Sequence, residues 1–109
     1  MKPRKLNCKT IPATDPNRAY RFWRDVFDLP QTGPANARQL RLDGDIVTFV
    51  QAPPTDTLEL LVRDYAGPLR QHLANNFVTI LSENDRFGNK IAFTIHDSEK
   101  NSVTIEANR

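Results

Sequence analysis

The sequence predicts an α+β fold built from two successive copies of one strand–helix–strand–strand unit, with room for a further short strand in each. Three observations lead to this prediction. A strand near the start of the chain runs into an amphipathic helix with an acidic N-cap, an Asp-Gly hairpin signal follows, and the strand–helix order then returns from residue 57 onward. We expect one domain over 1–109, with module one at about 5–52 and module two at about 56–108.

Composition limits the class of protein. The chain has 109 residues, 39% of them apolar and 26% charged, with a net charge of +2. This charge is too weakly basic to indicate nucleic acid binding. One cysteine excludes an internal disulfide, and no apolar stretch has the length of a membrane span or follows the pattern of a secretory signal. We therefore expect a soluble cytoplasmic protein.

A helix over 16–27 is the best-defined local element. Asp15 can accept hydrogen bonds from the first helical turn, and Pro16 suits the first helical position. Asp28 can adopt the left-handed conformation that ends many helices. The apolar stripe comprises Ala19, Phe22, Trp23, Val26 and Phe27, while Arg18, Arg21 and Arg24 are interpreted as a solvated face.

The strands of module one follow from alternation and turn signals. A first strand is predicted over 5–13, and 31–37 is a turn-rich connection. Asp43-Gly44 predicts a hairpin with arms at about 38–42 and 45–51.

Module two is expected to repeat this order. A strand over 57–63 is followed by Asp64 as N-cap and by a helix of about 65–75, with Tyr65, Leu69 and Leu73 on one side. The remaining elements are a short strand at 77–81, a loop at 82–89, and strands at 90–96 and 102–107.

Several short motifs have counterparts in a known superfamily. Asp15-Pro16 ends the first strand, Phe22-Trp23 lies in the helix, and FDLP (27–30) ends it. DSEKN (97–101) precedes SVTI (102–105) near the end of the chain. These features resemble the glyoxalase/bleomycin-resistance/extradiol-dioxygenase group, the vicinal oxygen chelate superfamily, over nearly the whole chain. The resemblance implies two βαβββ modules that curl a mixed sheet around a pocket, often completed by dimerisation.

The resemblance also implies four positions for a divalent metal, usually filled by His, Glu or Gln. In each module, one position lies seven residues before the N-cap, at the start of the first strand, and the other lies on the last strand. A thiol and neutral hydroxyls are poor ligands for such an ion, so we expect no metal and no cofactor. His72 and His96 fall outside the four positions and are interpreted as surface histidines. The residues at the four positions are Cys8, Thr48, Thr57 and Thr104.

Alternation predicts which residues face the pocket. Glu59 and Glu106 are its only acids. If they converge, desolvation and mutual repulsion raise the pKa of one of them, which is then a candidate general base. The alternative is that both lie near the solvent-facing ends of their strands or pair with a nearby basic residue, such as Arg41 or Arg63. The full predicted face is Cys8, Thr10, Ile46, Thr48, Val50, Thr57, Glu59, Leu61, Ser102, Thr104 and Glu106, and its candidate ligand-binding residues are Cys8, Thr48, Thr57, Glu59, Thr104 and Glu106.

Three functions are consistent with this sequence. The first is a metal-free, dimeric binding protein for a small organic molecule, in which the mildly basic charge favours a neutral or anionic ligand. The second is a metal-dependent lyase, isomerase or dioxygenase, which requires ligands that the predicted face lacks. The third is a structural or interaction module whose pocket is filled by its own side chains. Cys8 has no recognisable His partner and is interpreted as an inert thiol. A ferredoxin-like or RNA-recognition domain is a rival fold, but RFGNKIAF (86–93) has the wrong spacing for an RNA-stacking motif and the second aromatic strand is missing. Neither a nucleic acid nor a membrane partner is expected.

Overall fold

The computed structural model describes all residues, 1–109, and confirms the α+β class. The helices are α1 (Pro16–Val26) and α2 (Ala66–Asn75). Neither is long and apolar enough to cross a membrane. The strands are β1 (Pro3–Leu6), β2 (Thr10–Ala13), β3 (Gln31–Thr32), β4 (Gln39–Leu42), β5 (Asp45–Gln51), β6 (Leu58–Tyr65), β7 (Ser82–Arg86), β8 (Lys90–His96) and β9 (Ser102–Asn108).

The two halves of the chain share one topology. A four-stranded sheet has the order β2-β5-β4-β3, and a five-stranded sheet has the order β1-β6-β9-β8-β7. In each half, the strand that precedes the helix pairs in parallel with the last strand, and the other pairings are antiparallel. The sheets curl but do not close into a barrel.

The predicted first strand, 5–13, is wrong as a single element. It is two strands that belong to different sheets: β1 pairs with β6, and β2 pairs with β5. The chain crosses between the sheets at Asn7, whose side chain accepts from the Glu59 amide (2.8 Å) and donates to the Thr57 carbonyl (2.7 Å). These bonds replace ladder bonds where the strand changes partner.

Helix α1 forms as its local sequence predicts. The Asp15 carboxylate accepts from the amides of Asn17 and Arg18 at 3.1 and 3.2 Å, and Asp28 has a φ of 55° beyond the helix. Trp23 and Phe27 are fully buried, with their ring centroids 4.6 Å apart. The aromatic stripe thus lies in a single core shared with the buried residues of both sheets.

Helix α2 begins one residue later than predicted, and Asp64 is not its N-cap. Strand β6 continues to Tyr65, which is the N-cap and makes no side-chain capping bond. Asp64 instead accepts from the Lys2 amide at 2.6 Å. Tyr65 is 62% exposed, so the buried side of the helix is formed by Ala66, Leu69 and Leu73.

The prediction for 77–89 is also wrong. Phe77–Leu81 is not a strand, because Phe77 has a φ of 60° and leaves the helix through a tight turn. The strand is β7, within the predicted loop, and it lies at the sheet edge with every residue exposed. An edge strand without a buried side has no apolar alternation to reveal it.

A buried polar cluster fixes the β8–β9 turn against α1. Asp97 accepts from the amides of Glu99 and Asn101, both at 2.9 Å. Its second oxygen accepts from Trp23 Nε1 at 3.0 Å and from Asn101 Nδ2 at 2.8 Å. Because each of these polar groups has a hydrogen-bond partner, the cluster is buried without leaving an unsatisfied donor or acceptor.

Arg18 is exposed, as predicted for the arginine face, but it also forms an ion pair. Arg18 donates through Nε and Nη2 to Glu99, whose side chain is fully buried. Glu99 also accepts from the Asp15 amide at 2.7 Å and from the Ser98 hydroxyl at 2.8 Å. Burial alone raises the pKa of Glu99, but these hydrogen bonds outweigh it and hold the pKa at about 2. Arg18 therefore ties module one to module two.

Candidate functional site

The candidate site lies on the side of the five-stranded sheet opposite α2, which we call the open face. Along β6 the side chains of Leu58, Leu60 and Val62 are buried, whereas Glu59 and Leu61 are half-buried on the other side. Residues directly opposite each other on neighbouring strands have their side chains on the same side of the sheet. The open face therefore continues from β6 through β9 and β8 to β7.

The six candidate ligand-binding residues do not form one group. Glu59 and Thr104 are directly opposite each other on β6 and β9, and Glu106 is two residues further along β9. Thr48 lies on β5 of the other sheet, opposite Thr10. The other two residues, Cys8 and Thr57, each precede a strand and are exposed. The Cys8 thiol donates a hydrogen bond to the Thr10 carbonyl, and the Thr57 hydroxyl is hydrogen-bonded to the Thr55 hydroxyl.

Glu59 and Glu106 converge on one arginine. Arg86 Nη1 lies 2.6 Å from Glu59 Oε1 and 3.2 Å from Glu106 Oε1. The Glu59 carboxylate raises the pKa of the Arg86 guanidinium, partial burial opposes this, and Glu106 adds to it. The structure therefore shows the paired arrangement rather than two unpaired acids. The prediction that Arg41 or Arg63 pairs with these glutamates is wrong, because both glutamates pair with Arg86.

The sequence does not predict the role of Arg86, because the composition of 82–89 indicates a loop and not the strand β7. A loop residue has no defined face, so nothing placed its side chain over the sheet. The sequence nevertheless contains a hairpin signal, the pair Gly88-Asn89. In the structure both residues lie at the tip of the β7–β8 hairpin and have positive φ, at 79° and 63°. A Gly-Asn pair before an apolar strand is a hairpin signal.

A cavity of about 150 Å³ opens on the same face. It is lined by Lys5, Asn7, Glu59 and Leu61. Of the six candidate residues only Glu59 reaches it. Lys5 and Asn7 are not among the predicted site residues, because the sequence pattern predicts one strand over 5–13, whereas Lys5 lies on β1 and Asn7 at the crossing that follows it.

The residues present do not fit the divalent metal that the resemblance implies. The corresponding positions offer one thiol and neutral hydroxyls, and both nearby carboxylates are held by Arg86. No group of three or more His, Cys, Asp or Glu residues is placed to hold an ion. His72 Nε2 lies 2.6 Å from the Val26 carbonyl, and His96 is the exposed last residue of β8.

Comparison with known proteins shows the fold. No protein-family model matches the chain, and no curated protein matches it in sequence. Lactoylglutathione lyase from Agrobacterium tumefaciens is similar in structure, with a TM-score of 0.70 and 14% identity over 90% of this chain and 89% of that one. An integron cassette protein from the mobile metagenome of V. cholerae has a TM-score of 0.73 at 14% identity, covering 100% and 98% of the two chains.

A third similar structure contains a metal. The fosfomycin resistance protein FosX from Listeria monocytogenes, in complex with Mn(II) and a sulfate ion, has a TM-score of 0.69 at 11% identity, over 92% of this chain and 86% of that one. Together these structures confirm that the chain has the glyoxalase/bleomycin-resistance (vicinal oxygen chelate) fold. Identities this low establish the fold alone, so activity must be argued from the site.

Proposed function

We propose that this protein binds a small organic molecule at the open face without the divalent metal of the superfamily. The observation that supports this most strongly is the cavity beside Glu59, which combines an apolar wall, Leu61, with polar groups from Lys5 and Asn7. A concave site with an apolar surface and a few convergent polar groups is the usual form of a small-molecule site.

The charges at the site favour a neutral or anionic ligand. Lys5 makes no ion pair, whereas Glu59 is already neutralised by Arg86 at 2.6 Å. A cationic ligand would have to displace Arg86 from Glu59 and would also meet Lys5. A neutral or anionic ligand meets an available ammonium group instead.

A second copy of the chain would complete the site. The cavity of about 150 Å³ is smaller than the roughly 300–1,000 Å³ of sites for drug-sized ligands. Ile46 and Val50, on the corresponding face of the four-stranded sheet, are 50% and 47% exposed. We propose a cytoplasmic homodimer in which apolar surface of this kind is covered by the partner or by the ligand.

An interaction module remains the second candidate function, and one observation favours it. Arg86 extends over the open face and is tied to two of the protein's own carboxylates, so part of the face is filled by its own side chains. A metal-dependent lyase or dioxygenase, by contrast, has no suitable set of ligands on this face.

Titration with a fragment library tests the proposal. We expect neutral or anionic fragments, added at millimolar concentration to ¹⁵N-labelled protein, to shift the amide resonances of residues 5, 7, 59 and 61 together. Leu61→Arg should abolish these shifts because the longer, charged side chain fills the cavity. Leu61 is not in the core, so the variant should fold.

Leu81→Arg is the matched control. Leu81 is 51% exposed and does not line this cavity, so the variant should retain fragment binding. Fragments that leave these four resonances unmoved, or that bind equally well to the Leu61→Arg variant, would contradict the proposal and favour the interaction module.

A further inference from the structure

Arg86 uses only one of its nitrogens to bind the protein. Nη1 donates to Glu59 Oε1 and Glu106 Oε1, whereas Nε and Nη2 make no hydrogen bond to the protein. A guanidinium has five N–H donors, and the Nε and Nη2 groups form a planar fork that matches the two oxygens of a carboxylate. In Arg86 this fork is unused.

The other arginines with a bidentate carboxylate partner differ in this respect. Each of them directs its Nε–Nη2 fork at a carboxylate, at distances of 2.8 to 3.2 Å. These pairs are Arg18 with Glu99, Arg24 with Asp25, and Arg70 with Glu83. Arg109, like Arg86, binds a carboxylate through Nη1 alone, but its partner Asp85 is exposed, whereas the unused fork of Arg86 lies over the sheet beside Glu59.

The sheet holds Arg86 in a defined place. The residue is on edge strand β7, and its side chain reaches across β8 to Glu106 on β9 and Glu59 on β6. Ala92, directly opposite Glu106 on β8, is small enough to leave room for the guanidinium. Because Glu59 and Glu106 both accept a hydrogen bond from Nη1, they fix the position of the Arg86 guanidinium and leave its Nε and Nη2 groups available.

Lys5 supplies a second cation at the neighbouring cavity. It lies opposite Leu61 on β6, and Leu61 in turn lies opposite Glu106 on β9. Lys5 makes no ion pair. Lys5 therefore lies beside the apolar Leu61 in the cavity lining, and Arg86 adjoins the cavity through Glu59, which also lines it.

We propose that Arg86 anchors the ligand of this site, and that the ligand is a small organic acid. Its carboxylate accepts from Nε and Nη2 of Arg86, Lys5 contributes a second positive charge, and its apolar body packs against Leu61. This inference rests on the proposed function, because it names the class of ligand for the same site.

The charge balance favours a carboxylate over a phosphate. Lys5 and Arg86 carry two positive charges, and Glu59 and Glu106 carry two negative ones, so the group is neutral overall. A singly charged acid adds one charge beside two cations. A doubly charged phosphate costs more to remove from water than a singly charged carboxylate, and a group that is neutral overall has no excess positive charge to offset that cost.

Arginine side-chain NMR tests the contact directly. We expect butyrate to shift the Nε–Hε resonance of Arg86, because a new acceptor binds that N–H, and butyramide and inorganic phosphate to leave it unmoved. The Nε–Hε resonance of Arg70 is the internal control, since its fork is already occupied by Glu83. This wild-type titration does not depend on whether a variant folds.

A charge-matched double variant gives the second readout. Arg86→Gln combined with Glu106→Gln removes the fork, and with it the ion pairs of Arg86, while it keeps the net charge of the cluster. It should weaken butyrate binding on the order of tenfold or more, as expected for a lost charge-assisted bidentate contact. Arg70→Gln should bind butyrate as the wild type does.

The possible failures are distinguishable. If cavity amides shift with butyrate while Arg86 Nε–Hε does not, or if butyramide or phosphate moves Nε–Hε as butyrate does, this inference is overturned and the proposed function stands. If butyrate moves no resonance of the site while other fragments do, the ligand class is wrong. If no fragment of any class shifts the amide resonances of the cavity residues, the proposed function itself is contradicted, and this inference with it.

Discussion

Replacing Asp97 with alanine is expected to lower the free energy of unfolding by about 4 kcal/mol. The carboxylate accepts four hydrogen bonds, two from backbone amides and two from the side chains of Trp23 and Asn101. Alanine removes all four and leaves the buried indole N–H without a partner. Urea denaturation followed by tryptophan fluorescence measures the change, because Trp23 is the only tryptophan.

Asp56→Ala is the matched control. Asp56 is exposed and makes no side-chain hydrogen bond, so we expect a change within about 0.5 kcal/mol. An Asp97→Ala protein as stable as this control would show that the polar cluster does not join α1 to the β8–β9 turn.

Acid is expected to destabilise the protein through Glu99. Its pKa is about 2 in the folded protein, against an ordinary value of 4.5, so the folded state favours the charged form. The resulting stability is fully present above pH 4.5 and is lost as the pH falls from 4.5 towards 2. A shift of this size corresponds to about 3 kcal/mol. Denaturation midpoints measured across this pH range give the loss directly.

Glu99→Gln separates this residue from the other carboxylates. The variant should be less stable at neutral pH and should lose less stability on acidification, because glutamine does not titrate. Glu83→Gln is the control: Glu83 also pairs with an arginine, Arg70, but is exposed, so its pair is screened and contributes little. If both variants keep the wild-type pH dependence, then Glu99 is not its source.

The elements that sequence reasoning predicted correctly are those specified by neighbouring residues. Helix α1 combines an Asp-Pro start with an apolar stripe and a left-handed stop, all within 15–28. The Asp43-Gly44 hairpin pairs Leu42 with Asp45 as its turn signal requires. In such segments local preference and burial agree, so the tertiary structure does not override the pattern.

The errors occur where distant parts of the chain decide the structure. The first strand is divided because β6, about fifty residues away in sequence, competes for its N-terminal half. Strand β7 is specified by the edge of β8 rather than by its own composition. Since Arg86 lies on β7 and Lys5 on β1, these two errors concealed the cations of the candidate site, whereas Glu59 was found from simple alternation.

The metal content of the purified protein tests the central claim most directly. After incubation with Zn²⁺, Ni²⁺, Mn²⁺ or Fe²⁺ and exhaustive desalting, we expect far less than one equivalent of any metal per chain, because Arg86 holds Glu59 and Glu106 and the remaining groups are poor ligands. One equivalent per chain, lost in Glu59→Gln or Glu106→Gln, would contradict the account and favour a metal-dependent enzyme.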